Sequence, residues 1–381
     1  MSIFRIRPSR DAGVSQPSVE RRRGNADRRI GSRGGRRASE VVRTGVFAGL
    51  FALVSSSAIA QGAMQFGFDA KSLQRAGSLG MPVTYASTWA GSWNQKFGWR
   101  GIEDDLRAAK AAGAVPVVQW WYWGDDISPG CVENGCKDRY QGVQKDKATW
   151  TRMSNELADL IVRVGGANSQ ALVVIETEFN KNGIENHEAF DGYLAEQAAI
   201  FHQRGIKVVV GFGNWGQSHW KNFDRAVAAA DLLGTMALQS SVRDASTYLS
   251  GADQLIKAAK YFHTTFGKPT FVTDFAFSSH PEPSYENYQD TVIRDIFRRM
   301  DEFRDAGVQG MLWRMLADDP AFDTNNYHGI AERHWGLLHA DGSPKLAFTS
   351  FLSGMQRESK AVASASTVAS AAVASGPSGQ R

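Results

Sequence analysis

Helix-patterned stretches of this chain stop at Gly113, Gly205, Gly267 and Gly307, and an apolar run suited to a strand follows each. In the first, Ile102, Leu106 and Ala109 share one helical face before Gly113. Thr151 to Val164 behaves likewise. Helix, glycine and strand repeating at this period imply right-handed βα units on a parallel sheet. Strand-like segments fall at 65–69, 83–88, 115–123, 171–178, 207–214, 234–240, 270–277 and 310–315. With no element left over, they favour a closed α/β architecture, the (β/α)8 TIM barrel, over an open doubly wound sheet.

The fourth of these runs, Leu172-Val173-Val174-Ile175-Glu176-Thr177-Glu178-Phe179-Asn180, starts as a strand apolar on both faces and ends in carboxylates and an amide. Read as strand through residue 178, it puts Glu176 and Glu178 on one face, since their spacing is two. The seventh run mirrors it: Thr270 to Phe277 is apolar with one carboxylate, Asp274, near its end. Catalytic groups of a barrel come from the C-terminal ends of its strands. Two carboxyls there are the equipment of glycoside hydrolysis, one protonating the leaving oxygen and one attacking or activating water. A charged Glu176 beside Glu178 would raise the proton affinity of the pair, which suits a general acid.

The other strand ends supply a mouth rich in tryptophan, amides and acids. Asp69 ends strand one, Trp89 strand two, and Trp121 and Trp123 strand three. Trp120 and Trp121 are neighbours on a strand and point to opposite faces, so one of them is core. Glu176 and Asn180 follow strand four, Asn214 and Trp215 strand five, Gln239 strand six, and Trp313 and Arg314 strand eight. Indole faces pack on the C–H faces of sugar rings, and amides read hydroxyls. These residues are therefore the expected substrate contacts, with Glu178 and Asp274 expected to be catalytic. The histidines show no metal spacing, no dinucleotide glycine fingerprint follows the first strand, and no phosphate loop occurs. The expectation is no cofactor and no metal.

Net charge excludes less than it suggests. The formal +4 is dominated by arginines before residue 45, including Arg21-Arg22-Arg23, so it carries no nucleic-acid inference. Residues 1–60 read as a basic leader with a secretory signal, its apolar run from Val46 to Ala60 ending in Ala58-Ile59-Ala60, with Gln61 the first mature residue. An uncleaved anchor is the rival reading, although the run is short for a membrane span. A secreted or periplasmic protein follows, with no stable membrane insertion after cleavage. Cys131 and Cys136, the two cysteines, read as a loop disulfide in an exported chain, against a metal site as the rival. The barrel domain is expected over 61–356, and the Ser/Ala-rich 357–381 as a disordered tail.

With the carboxylates of strands four and seven, Trp313, and the closing segment His334-Trp335-Gly336-Leu337-Leu338-His339-Ala340-Asp341-Gly342-Ser343-Pro344-Lys345-Leu346-Ala347-Phe348, the chain resembles the clan A glycoside hydrolases over roughly residues 65–355. That resemblance implies retaining (β/α)8 enzymes with an acid/base Glu after strand four and a nucleophile after strand seven. Two features depart from the clan pattern. The clan's Asn-Glu is replaced by Glu178-Phe179-Asn180, and the strand-seven carboxylate is Asp274 rather than Glu. The shorter side chain leaves both retention and inversion open. The expected activity is exported, monomeric hydrolysis of a polysaccharide or oligosaccharide of β-glucan, mannan or bacterial exopolysaccharide type. A catalytically inactive barrel that binds glycan is the alternative.

Overall fold

The computed structural model describes residues 64–123, 139–166, 170–180, 188–214, 216–240, 249–281, 284–322 and 328–374. Eight parallel strands close in sequence order: β1 (Gln65–Asp69), β2 (Tyr85–Ala90), β3 (Val115–Trp120), β4 (Leu172–Ile175), β5 (Lys207–Gly211), β6 (Leu232–Gln239), β7 (Thr270–Phe277) and β8 (Val308–Trp313). The main helices between and after them are α1 (Leu73–Ser78), α2 (Arg100–Ala111), α3 (Arg139–Gly165), α4 (Glu188–His202), α5 (Asp224–Ala229), α6 (Gly251–Tyr261), α7 (Ser284–Arg298) and α8 (Leu346–Ala374). The barrel expected from the repeat is the fold observed. Gly113, Gly205, Gly267 and Gly307 all take positive φ, which lets each helix turn sharply into the next strand.

Alternation along the strands sorts the core into an inside and an outside. Tyr85, Val117, Leu172, Val174, Val209, Leu232, Phe271 and Leu312 pack together in the barrel interior. Their strand neighbours, such as Val118, Val173, Val208 and Met311, pack outward under the helices. Trp120 is buried in this outer layer, where its Nε1 donates to Ser154 Oγ at 2.8 Å.

β7 breaks the alternation once. Thr235 pairs with Val272 but Met236 with Asp274, and across the other edge Val272 pairs with Met311 but Phe275 with Trp313. One extra residue therefore sits in β7 against both neighbours, a β-bulge. Val272 and Phe275, three residues apart, both lie in the outer layer. The bulge accordingly turns two consecutive side chains, Thr273 and Asp274, inward.

Most strand limits shift by a few residues from the sequence reading, and two differences change more than a limit. β4 ends at Ile175, and the chain then turns, with Phe179 N donating to Glu176 O at 3.0 Å. Glu176 and Glu178 have φ of 52° and 59°, so neither lies on a strand and the shared strand face is lost. At the other end, α8 runs to Ala374, past the expected start of a disordered tail at 357. Alanine is the strongest helix former, and Glu358 anchors the helix to Arg304 Nη1 at 2.6 Å and to Met64 N at 3.0 Å. The leader 1–60, Cys131, Cys136 and Trp215 lie outside the described residues.

Candidate active site

The inward-turned Asp274 is buried at the mouth, 2% exposed. Its partner is Arg314, the first residue after β8, whose Nη1 donates to Asp274 Oδ2. Burial pushes the Asp274 carboxyl above the usual range; the guanidinium pulls the other way and does not fully offset it. Arg314 is itself held between aromatic faces, its Cζ 5.2 Å from the Trp89 ring and 5.2 Å from the Trp335 ring. Trp121 meets Trp89 edge-on at 5.6 Å. Asp274, Arg314, Trp89 and Trp121 thus form one group, an aromatic wall beside a buried ion pair. Trp335 joins it without having been singled out as a contact. It sits in a loop, where no periodicity assigns a face, and its Nε1 donates to Gln239 O at 3.3 Å.

On the β4 side the two glutamates have separate fates. Glu176 is 1% exposed, and its carboxyl accepts from Tyr122 N at 2.8 Å and Trp123 N at 3.3 Å. Burial pushes its pKa up to about 8, against the pull of these two donors. Glu176 therefore ties the β4 turn to the end of β3. Glu178, next along the turn but one, is half-buried. A non-glycine residue in the left-handed region costs on the order of 1–2 kcal/mol, and two in one turn mark a conformation that the surroundings enforce.

Several expected contacts make structural bonds or pack in the core. Trp313 is fully buried on the outer face, edge-on to Phe275 at 5.0 Å and Phe351 at 5.2 Å, with Nε1 donating to Trp335 O. Strand parity explains this: Arg314 faces the mouth, so its neighbour cannot. Trp123 packs edge-on against Tyr122 and Trp150 in the outer core. Asn180 clamps Gly213 in both directions, Oδ1 accepting from its N at 2.6 Å and Nδ2 donating to its O at 3.2 Å. Asp69 caps the turn after β1 through Ser72 N at 3.0 Å and Ser72 Oγ at 2.6 Å. Asn214 Nδ2 donates to Gln254 Oε1 on α6 at 3.0 Å. Gln239 is buried, and its Oε1 has no hydrogen-bond partner among the described residues.

The closing segment quoted from the sequence does close a loop. Lys345, its side chain wholly buried, donates from Nζ to Asp318 Oδ1 and Ser279 Oγ, each at 2.7 Å. This fixes the β8 loop against the end of β7. Among the described residues no group of three His, Cys, Asp or Glu side chains is placed to hold a metal.

No protein-family model matches the sequence, and no curated protein matches it. Solved structures do match. A GH5_18 from Bifidobacterium longum subsp. infantis superposes with a TM-score of 0.58 at 13% identity, covering 78% of this chain and 79% of that one. An exo-β-1,4-mannosidase from Opitutaceae bacterium strain TAV5 gives 0.58 at 13% identity, over 79% of this chain and 60% of that one. The endo-β-1,4-mannanase from Thermotoga petrophila gives 0.56 at 10% identity, over 78% and 76%. The chain shares its (β/α)8 barrel fold with these structures. At these identities the likeness is one of fold.

Proposed function

We propose that this chain is a glycoside hydrolase that uses Glu178 and Asp274 on a polysaccharide or oligosaccharide. The observation that carries the reading is the β7 bulge, which turns Asp274 into the mouth beside an aromatic wall. Bulges recur next to active sites because they re-aim one side chain. The fold shared with mannan-cleaving barrels supports the same reading. Asp274 is the nucleophile, or the base for water if the reaction inverts, and Arg314 favours the ionised form it needs. Glu178, the more accessible carboxyl, protonates the departing oxygen and, in a retaining reaction, later deprotonates water. Trp89 and Trp121 present ring faces and edges to the sugar.

The proposal extends to export, with cleavage before Gln61, and to a Cys131–Cys136 disulfide; both rest on the sequence alone. N-terminal mass spectrometry and thiol titration of exported protein test them.

The activity is tested by reducing-end release from soluble β-1,4-mannan, β-1,4-galactan and xylan by wild type, Glu178→Gln and Asp274→Asn. Turnover by wild type that falls by about 10³-fold or more in both variants supports the assignment, a loss of the size that removing an acid/base or nucleophile produces. Glycan binding without turnover, equal in all three proteins, establishes the inactive-barrel alternative instead.

A further inference from the structure

Below the mouth, one buried amide bonds the residues that immediately precede the two members of the proposed carboxyl pair. Gln119 projects from β3 into the barrel interior and is 1% exposed. Its Nε2 donates to Thr273 O on β7 at 2.6 Å, and its Oε1 accepts from Thr177 Oγ1 in the β4 turn at 2.7 Å. The orientation is forced: a backbone carbonyl can only accept, so the NH2 must face Thr273 and the oxygen is left for the hydroxyl. Thr177 immediately precedes Glu178, and Thr273 immediately precedes Asp274.

Two glycines make room for this bridge. A Cβ on Gly211 of β5 would lie 2.7 Å from Thr177 Cα, and one on Gly234 of β6 would lie 2.7 Å from Thr273 Cγ2 and 3.1 Å from Gly211 Cα. Side chains are absent where the turn and the bulge crowd inward. Thr273 is held on its far side as well, its Oγ1 donating to Thr235 O at 3.2 Å.

We propose that Gln119 is a positioning residue that fixes the separation of Glu178 and Asp274 by tying the β4 turn to the β7 bulge across the barrel. This rests on the reading of those two carboxyls given above. The two segments share no strand pairing, since β4 pairs with β3 and β5 and β7 with β6 and β8. The separation of the carboxyls decides which displacement the site supports. A direct tether controls it more tightly than three intervening strand pairings do. Misplacement by about 1 Å costs on the order of 100-fold in rate.

The test compares Gln119→Leu, Thr177→Val and Thr177→Ser with wild type on whichever of the three polysaccharides is turned over. Each is assayed well below its own melting temperature. The expected result is a kcat about 100-fold lower in Gln119→Leu and Thr177→Val, with KM within about threefold. Thr177→Ser keeps the donor and restores the turnover lost in Thr177→Val. The Gln119→Leu/Thr177→Val double variant falls no further than Gln119→Leu, because both remove one tether. An unchanged kcat in Gln119→Leu, a Thr177→Ser as slow as Thr177→Val, or losses that multiply in the double variant overturns the tether. If Gln119→Leu does not fold, the two Thr177 variants decide alone. Glu178→Gln and Asp274→Asn separate the two layers of argument. Turnover surviving in them removes the carboxyl assignment; turnover abolished in them but intact in Gln119→Leu removes only the tether.

Discussion

Glu176→Gln should change how the fold's stability depends on pH. Glu176 is wholly buried, and its pKa rises from the ordinary 4.5 to about 8, chiefly through burial. In the unfolded chain it titrates near 4.5, so between the two values the folded state holds a proton that the unfolded state has released. Its contribution is fully present below pH 4.5 and is lost as pH rises through 8. At 1.36 kcal/mol per decade of acid, the interval from 4.5 to about 8 corresponds to about 5 kcal/mol, with a limiting slope of about 1.4 kcal/mol per pH unit. Glutamine does not titrate and keeps one oxygen to accept from Tyr122 N, at the expense of the weaker bond from Trp123 N. Urea denaturation of both proteins from pH 4.5 to 8.5 measures the difference directly, since the other buried carboxyls are common to both. Wild type should lose stability relative to Glu176→Gln steadily across this range. Two stability curves running parallel within about 0.5 kcal/mol would show that Glu176 carries no raised pKa, and the burial argument would be wrong.

Arg314→Met leaves the burial of Asp274 unopposed, so the carboxyl ionises only at higher pH. The acidic limb of the kcat/KM profile should move upward, with activity at neutral pH down by about 100-fold; an unmoved limb refutes the pairing. Lys345→Met removes one partner of a buried pair with Asp318 and should cost about 3–5 kcal/mol in urea denaturation, whereas a loss below about 1 kcal/mol would contradict the burial.

The barrel was legible because its signals are local and repeated. Helix-terminating glycines and apolar runs depend on a few adjacent residues, and β1 and β7 match the expected limits residue for residue. Strand four did not, because Glu176 and Glu178 enter the left-handed region, which no side-chain pattern at those positions announces. The bulge was equally hidden: Phe271-Val272-Thr273-Asp274-Phe275 reads as a regular strand, and only pairing with both neighbours reveals the extra residue. Arg314 and Trp313 were both expected at the mouth, although adjacent strand residues cannot share a face; the structure keeps Arg314 there and sends Trp313 to the core. Gln119 and Thr273 lie 154 positions apart, and sequence spacing says nothing of contacts at that range.

The seam between β1 and β8 sets the order in which this protein can be completed. Phe351 of α8 lies against Phe66 at 5.8 Å, Phe68 at 5.7 Å, Phe297 at 5.3 Å and Trp313 at 5.2 Å, covering the line where the first strand meets the last. Glu358 then bonds the backbone of Met64, 294 residues earlier. A nascent chain that has emerged as far as Trp313 possesses all eight strands, yet lacks the helix that shields their junction. Until translation delivers α8, β1 has its aromatic outer face open to water, and so do the helices beside it. Such surfaces invite association between unfinished chains. A stop codon anywhere between residues 314 and 350 would therefore yield a protein with every strand and every proposed catalytic group, but one that aggregates instead of accumulating in folded form.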